Sequence, residues 1–344
     1  MMNCRISENK INKVEIAHGG GGRMSNNLIK NTFIKRFSNK NLDKMSDGAV
    51  LNMYSGKVAY TTDSYVVNPI FFKGGNIGDL AINGTINDLT ACGAIPQFIS
   101  AAFIIEEGFD LGLLEKIADS MSLAAKKANV TIVTGDTKVV EKGKCDGIFI
   151  NTSGIGLVNE NISITPERIK ENDAIIITGK IASHGMCIMA ERNNLGFETD
   201  IQSDTASLNQ MINRLLEDID VHMMRDPTRG GVASALNEIA ETANLSIVID
   251  ENSIPIDKNV ISFCELLGFD PLSVANEGCM ILFVNENDAS KSLEILQQFE
   301  EGKNSRIIGK VESKNNQTRV IAKTIYGSSR IIEMITGEQL PRIC

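Results

Sequence analysis

The chain has 344 residues, which is long enough for two domains of ordinary size, each with its own hydrophobic core. Its formal net charge of -9 argues against nucleic acid and anionic lipid as partners. No apolar run approaches the roughly 20 residues that span a bilayer, and the polar start MMNCRISENK does not resemble a signal peptide. The seven cysteines are scattered without a CxxC pair, which argues against structural zinc and predicts a cytoplasmic protein.

The first half of the chain alternates short β-branched runs with helical patterns. The predicted elements, in chain order, are a strand at 58–62, a helix at 77–92, a strand at 96–105, a helix at 111–128 and strands at 130–134 and 147–158. A turn-rich stretch at 161–167 then marks a boundary, so we predict a first domain over residues 1–160.

The second half repeats this alternation. The predicted elements are a strand at 174–178, helices at 185–192 and 231–243, strands at 245–249 and 280–284, a helix at 289–299 and a strand at 307–311. We therefore predict a second domain over residues 161–335 and an α+β fold, with a mixed sheet covered by helices in each domain. Gly337 ends the regular pattern, and residues 336–344 are predicted to form a mobile tail.

Two glycine-rich or acidic segments in the first half are suited to phosphate chemistry. The run HGGGGR at 18–23 lets backbone N–H groups of Gly19, Gly20, Gly21 and Gly22 approach a phosphate, although such runs are also flexible linkers. It is not a Walker A motif, because no Gly-Lys-Ser/Thr follows. Asp63 at the end of a predicted strand is either a turn former or a ligand for Mg²⁺ beside phosphates.

A polar stripe follows on the helix predicted at 77–92. Asp79, Asn83 and Asn87 are spaced by four and share one helix face, which fits either a solvated face or a nucleotide site. Asp88 lies about half a turn from Asp79, so helix geometry alone does not unite the two carboxylates.

Two further turns combine glycine with aspartate and a cation. One contains Asp136 and Lys138, and the other, RDPTRGG at 225–231, contains Asp226 and Arg229 and opens a helix, where N–H groups bind anions. The chain ends PRIC, so Cys344 is either part of a frayed tail or a nucleophile that carries an acyl-type group to an active site.

These motifs together resemble a known family. HGGGGR, TTDSYVVNPIFFKGGNIGDLA (61–81), GTINDLTACGAIP (84–96), TGDTKVV (134–140), HGMCIMAER (184–192), RDPTRGGVA (225–233), NEG (276–278) and the terminal PRIC resemble the HypE hydrogenase maturation family. That family belongs to the superfamily of aminoimidazole ribonucleotide synthetase and selenophosphate synthetase. The resemblance implies that superfamily's two-domain fold, with ATP in a cleft and a homodimer formed by the N-terminal domains. The chain departs from the family pattern at Lys73 and Asn76, where Pro and Asp are expected.

The resemblance also implies a reaction. A carbamoyltransferase, HypF, places a carbamoyl group on Cys344, and ATP drives its dehydration to a thiocyanate. The cyano group then passes to iron on a HypC–HypD complex, as a ligand of [NiFe]-hydrogenase. The implied Mg²⁺ ligands are Asp63, Asp88 and Asp226, and Lys138 or Glu277 positions the carbamoyl group or accepts its proton. The implied nucleotide-binding residues are Gly19 to Gly22, Asp63, Asp79, Asn83, Asp136 and Arg229.

Two alternatives remain open at this point. A sister synthetase of the superfamily would have no use for a terminal thiol, and a thiol-presenting scaffold would have no use for the Asp and Gly clusters. For the homodimer we expect a sheet surface within residues 55–105, because Val66, Val67, Ile70, Phe71 and Phe72 form an apolar segment. The alternative is that this segment lines the core of one chain.

Overall fold

The computed structural model describes residues 13–18, 22–44, 51, 56–193, 200–313, 318–334 and 343. A short 3₁₀ turn at Ile16–His18 precedes the first helices. In the first domain the helices are α1 (Gly22–Leu28), α2 (Lys35–Phe37), α3 (Ile77–Ala91) and α4 (Leu111–Lys127), with a π-helical stretch, Ile29–Ile34, between α1 and α2. The strands are β1 (Lys57–Tyr65), β2 (Phe71–Phe72), β3 (Gly75–Asn76), β4 (Ala94–Glu106), β5 (Thr131–Val140) and β6 (Ile148–Val158).

Four of these strands form one mixed sheet in the order β1-β6-β4-β5. β6 pairs antiparallel with β1 and β4, whereas β4 and β5 are parallel. Helices α3 and α4 cover one face of this sheet, and the opposite face carries exposed apolar side chains, among them Val58, Tyr60 and Ile104. Among the residues that the structure describes, helices of the first domain therefore cover only one side of this sheet.

Helix α3 carries the predicted site residues Asp79, Asn83 and Asp88, and it is buried on almost all of its faces. Asn76 caps its N-terminus by accepting a hydrogen bond from Gly78 N, and the Asp79 carboxylate accepts one from Asn76 N, so the two form a capping box. The departure from the family pattern at position 76 therefore keeps a good capping residue.

The second domain holds a seven-stranded mixed sheet in the order β13-β12-β9-β11-β7-β10-β8. Its strands are β7 (Ala174–Ile177), β8 (Val221–Arg225), β9 (Ser246–Asp250), β10 (Ile281–Val284), β11 (Arg306–Glu312), β12 (Val320–Lys323) and β13 (Ser329–Ile332). Its helices are α5 (Ser183–Asn193), α6 (Asn209–Asp218), α7 (Gly231–Ala243), α8 (Lys258–Leu267) and α9 (Ala289–Leu296).

The central strands β7 and β10 are buried on both faces. Ile175 and Phe283 point into the main core with α7 and α8, whereas Ile176 and Leu282 point into a second core with α6 and α9. This two-sided burial explains why both strands are continuous apolar runs rather than alternating patterns. The predicted α+β architecture, with a mixed sheet and covering helices in each domain, is confirmed.

Two sequence expectations need qualification. The apolar segment at 66–72 packs largely inside the chain, because Val67 and Phe72 are buried and Ile70 and Phe71 pack against the same core, which favours the alternative that it lines the core of one chain. Among residues 336–344 the structure describes only Ile343, so the mobility predicted for the tail falls outside the described residues. Within the described part of the chain, no helix is long and apolar enough to cross a membrane.

Candidate functional site

Acidic side chains from both domains converge in one cleft. Its walls are formed by Thr62, Asp63, Gly84 and Asp88 of the first domain and by Asp226, Thr228, Arg229 and Glu277 of the second. Four of these eight residues carry carboxylates, and Arg229 contributes a cationic side chain. The structure therefore brings together all three predicted metal ligands with Arg229 and Glu277.

The first domain presents Asp63 and Asp88 from neighbouring elements. Asp63 lies near the end of β1, where its carboxylate accepts a hydrogen bond from the backbone N–H of Ser64 (2.7 Å). Asp88 lies on α3, and the hydroxyl of Thr61 on β1 donates to it (2.9 Å). Packing of α3 against β1 thus brings Asp63 and Asp88 into one cleft, whereas Asp79 does not line it.

The second domain contributes the loop between β8 and α7, which carries Asp226, Thr228 and Arg229. This loop ends at Gly230, and Gly231 begins α7; their φ angles of 76° and 61° are left-handed, a conformation that favours glycine. A Cβ on Gly231 would lie 2.5 Å from the carbonyl oxygen of Leu272, so the chain has no space for a side chain there. The double glycine therefore lets the loop turn sharply and places Arg229 at the edge of the cleft.

Glu277 is the most buried of the four carboxylates that line the cleft, with 5% of its surface exposed. Its Oε1 atom is buried and has no hydrogen-bond partner among the described residues. Its loop is held by Asn276, which accepts from Ala182 N (2.6 Å) and donates to the Pro227 carbonyl (2.7 Å). The Asp204 carboxylate accepts from the backbone N–H groups of Glu277 and Gly278, which fixes the loop from the other side.

Burial and mutual repulsion raise the pKa values of three carboxyl groups in the cleft. Burial, together with the charges of Asp226 and Asp63, raises the pKa of Asp88 to about 7, although the Thr61 hydrogen bond opposes the shift. Burial and the charges of neighbouring carboxylates raise the pKa of Glu277 well above its ordinary value, and burial with the Asp63 charge raises that of Asp226. Such a site favours a cation or a proton. No group of three potential ligands among the described residues is ready-made to hold a metal ion.

The other predicted residues of α3 serve local contacts in this structure. Asp79 accepts from Asn76 N and Leu80 N, and burial raises its pKa. Asn83 is buried and donates to the hydroxyl of Thr205 (3.2 Å). The polar stripe on α3 is therefore not a solvated face, because it binds the segment that precedes α6.

Asp136 and Lys138 lie elsewhere. Both are exposed on β5 and line a second cavity, together with Ser25 and the aromatic residues Phe33, Phe37 and Phe103. They do not line the carboxylate cleft. Of the glycine run, Gly22 begins α1, whereas Gly19, Gly20 and Gly21 are outside the described residues. Cys344 is outside them as well.

Sequence reasoning missed several residues around the cleft. Thr62, Gly84 and Thr228 line it, and Asp204 supports the loop of Glu277. Thr62 and Thr228 stand directly beside Asp63 and Arg229 in motifs already noted, so a closer reading would have found them. Asp204 lies in no motif, and only the fold reveals its role.

Comparison with known proteins places the chain in a family. A model named "AIR synthase related protein, N-terminal domain" matches residues 45–158, and "AIR synthase related protein, C-terminal domain" matches residues 170–322. The chain is 45% identical over 334 residues to "Carbamoyl dehydratase HypE" of Rhizobium leguminosarum bv. viciae, covering 96% of this chain and 95% of that protein.

Solved structures agree. The hydrogenase maturation protein HypE in complex with ATP has a TM-score of 0.93 at 42% identity, covering 96% of this chain and 99% of that one. HypE in a HypE–HypF complex has a TM-score of 0.78 at 46% identity, covering 90% of this chain and 99% of that one. The fold and the cleft thus define a two-domain AIR synthase related protein. Within that superfamily, the chain belongs to the HypE family.

Proposed function

We propose that this protein uses ATP to dehydrate a carbamoyl group carried on the sulfur of Cys344, which converts a thiocarboxamide to a thiocyanate. One observation in particular supports the proposal: the residue before Cys344 is anchored close to the carboxylate cleft. The carbonyl oxygen of Ile343 lies 2.6 Å from Nε2 of His184. The backbone N–H of His184 and that of Glu277 donate to the same Asp204 carboxylate.

The chemistry needs a better leaving group than an amide oxygen. ATP supplies a phosphoryl group to that oxygen, the C–O bond then breaks with loss of phosphate, and the nitrogen loses both protons to leave S–C≡N and ADP. A relative that crystallised with ATP supports ATP as the second substrate. A dry cleft is also needed, since water would hydrolyse the activated group.

Mg²⁺ fits the donor set of the cleft. Asp63, Asp88 and Asp226 would hold it, and it would neutralise the charge of the phosphates. The raised pKa values of Asp88 and Asp226 reflect burial and mutual repulsion, which a cation relieves. Because Mg²⁺ is held in proteins by one or two carboxylates plus phosphates and water, the site does not need a complete protein cage.

Glu277 is the best-placed residue for proton transfer. Its unpartnered Oε1 is able to accept an N–H of the carbamoyl group, and cationic charge in the cleft would lower its raised pKa so that it can take a proton. Lys138, the other candidate, lines a different cavity in this chain, so its role remains a proposal.

The proposed partners follow from the chemistry of the tail. A relative crystallised in complex with HypF supports a carbamoyltransferase as the donor to Cys344, and an iron-carrying HypC–HypD complex is the proposed acceptor of the cyano group. A homodimer through the uncovered face of the first sheet is proposed as well. The absence of disulfides among the described cysteines supports a reducing, cytoplasmic setting.

The test is mass analysis of the C-terminal peptide after the protein has been carbamoylated by HypF and incubated with Mg²⁺ and ATP. We expect the carbamoyl adduct on Cys344 to lose the mass of one water, and only when ATP is present. Cys344→Ala should acquire neither adduct.

The matched control is Cys92→Ala, because Cys92 is an exposed cysteine whose backbone N–H donates to the backbone carbonyl of Asp88 at the end of α3. This variant should react like the parent protein. An adduct that maps to Cys92, or one that persists in Cys344→Ala, contradicts the proposal. A sister synthetase would retain its activity in Cys344→Ala.

A further inference from the structure

A buried polar niche in the second domain receives the end of the chain. His184 lies in the first turn of α5 and has no exposed surface, although it belongs to none of the walls of the carboxylate cleft. Its Nε2 atom lies 2.6 Å from the carbonyl oxygen of Ile343, and the side chain of Ile343 is itself buried in the main core. The last described residue is therefore held by its backbone and by its side chain.

The hydrogen-bond pattern assigns the tautomer of His184. Burial lowers the pKa of His184 to about 4, so the ring is neutral near pH 7. A carbonyl oxygen only accepts, so Nε2 carries the proton and donates to Ile343, and Nδ1 is left as an acceptor. The hydroxyl of Ser203, 2.8 Å from Nδ1, donates to it and in turn accepts from Thr205 N (3.1 Å).

The surroundings hold this arrangement rigidly. Phe72 packs edge-on against the imidazole, with ring centroids 5.6 Å apart. The backbone N–H of Ser203 donates to the carbonyl of Lys73 (2.9 Å), which ties the niche to the first domain. Every polar atom of the ring is satisfied while Ile343 is in place, and withdrawal of Ile343 would leave a buried N–H without its acceptor.

We propose that His184 is a positioning residue that holds the C-terminal segment in a docked state by donating a hydrogen bond to the carbonyl of Ile343, with Ser203 fixing its tautomer. The inference deepens the proposed function, on which its relevance to catalysis rests, because docking places the residue before the carrier thiol beside the loop of Glu277. The docked contact itself is testable without any catalysis.

Two substitutions of His184 test the hydrogen bonds of its two ring nitrogens separately. In Gln the side-chain amide nitrogen occupies roughly the place of Nε2 and keeps a donor for Ile343. In Asn it occupies roughly the place of Nδ1, so the donor for Ile343 is lost while a contact to Ser203 remains. The Gln and Asn variants both carry a neutral amide. They differ in which hydrogen bond of His184 is kept, the one to Ile343 in Gln or the one to Ser203 in Asn.

The first readout is release of the last residues by a carboxypeptidase from the full-length protein, since a docked Ile343 cannot enter a protease. We expect His184→Asn to speed release about fivefold to tenfold, the size of one buried hydrogen bond, and His184→Gln to stay near the parent rate. Ser203→Ala should lie between them. His222→Gln, which alters the other buried histidine described in the second domain, should lower stability without changing the release rate.

The second readout is ATP-dependent dehydration of the carbamoylated protein. His184→Asn should lower kcat with an unchanged KM for ATP, and His184→Gln should restore kcat. Equal release rates in Asn and Gln variants, or a parent-like rate in His184→Asn, would overturn the proposal. If the parent protein releases its tail as expected but does not dehydrate the carbamoyl group, the proposed function fails and the docking contact stands.

Discussion

At the scale of single residues, the cleft contains more negative charge than a buried site tolerates without a ligand. The cleft brings together four carboxylates from both domains, Asp63, Asp88, Asp226 and Glu277. The raised pKa values of the last three show that burial and repulsion disfavour their charged forms. Function therefore opposes stability here, because the carboxylates that suit a cation destabilise the empty protein.

Asp88→Asn is expected to separate these two effects. A carboxyl group whose pKa is higher in the folded protein than the ordinary 3.8 contributes a stability that is lost as pH rises. Asp88 therefore lowers the free energy of unfolding most above its folded pKa of about 7, where its carboxylate is charged. The Asp88→Asn variant should raise the free energy of unfolding by about 1 to 2 kcal/mol at alkaline pH and by less near pH 5. The hydroxyl of Thr61 can still donate to the amide oxygen of Asn, so this hydrogen bond is kept.

Denaturant unfolding at both pH values measures the stability, and titration with Mg²⁺-ATP measures binding, which we expect to weaken. The control is Asp119→Asn, because Asp119 is an exposed residue that pairs with Arg36 far from the cleft. A loss of stability that grows with pH, or unchanged Mg²⁺-ATP affinity in Asp63→Asn, Asp88→Asn and Asp226→Asn alike, would contradict this assignment.

At the scale of elements, α3 and the turn before α7 each contribute to one side of the cleft, together with β1 and the loop of Glu277. The helix was predicted at 77–92 and is observed at Ile77–Ala91, but its polar face binds the segment before α6 instead of solvent. Sequence periodicity identifies which residues share a helix face, whereas the neighbour of that face depends on chain segments more than 100 residues away.

The turn before α7 can be tested with two glycines that share a left-handed conformation. Gly231→Ala should cost about 3 kcal/mol or more, because it adds backbone strain to a clash with the carbonyl of Leu272, and it should also weaken ATP binding. Gly268→Ala at the end of α8 should cost only about 1 to 2 kcal/mol, because nothing lies near its Cβ.

Thermal or denaturant unfolding of both variants gives the comparison. Equal losses of stability in the two variants would show that the close approach of the Leu272 carbonyl does not matter. Parent-like ATP binding in a folded Gly231→Ala protein would show that the turn does not position Arg229.

At the scale of the whole molecule, the uncovered face of the first sheet is the proposed contact between two copies. Tyr60, Ile155 and Phe98 lie opposite one another on three adjacent strands, and Tyr60 is 68% exposed. A row of apolar side chains across a sheet face is suited to an interface rather than to water.

Tyr60→Asp should therefore convert a dimer to a monomer, since burying an unpaired carboxylate at an interface is costly. Light scattering at micromolar concentration measures the mass. Leu123→Asp is the control, because Leu123 on α4 is 70% exposed but lies on the opposite side of the domain's sheet. A monomeric parent protein, or a dimer that persists in Tyr60→Asp, would count against this face.

Most of the elements with strong periodicity or continuous apolar runs were predicted from the sequence, such as α4 and β10. Among the elements that the sequence did not predict, two were missed for different reasons. Helix α6 places its buried Met211, Ile212 and Leu215 at helical spacing but begins without a side-chain cap that would mark its start. Strand β8 (VHMMR) carries the buried His222, which pairs with Asp173. A histidine within a short strand looks like a loop residue until its partner is known, and that partner lies in a different part of the sequence.

The sequence by itself determined the α+β class, the family resemblance and the acidic and glycine-rich motifs, because these depend on residue type and local spacing. Only the tertiary structure decided that Asp63, Asp88, Asp226 and Glu277 share a cleft, that Asp136 and Lys138 line another cavity, and that Ile343 reaches His184. Each of these depends on contacts between segments far apart in the chain. Such contacts are determined by which apolar surfaces are buried together, and not by the local spacing of residue types.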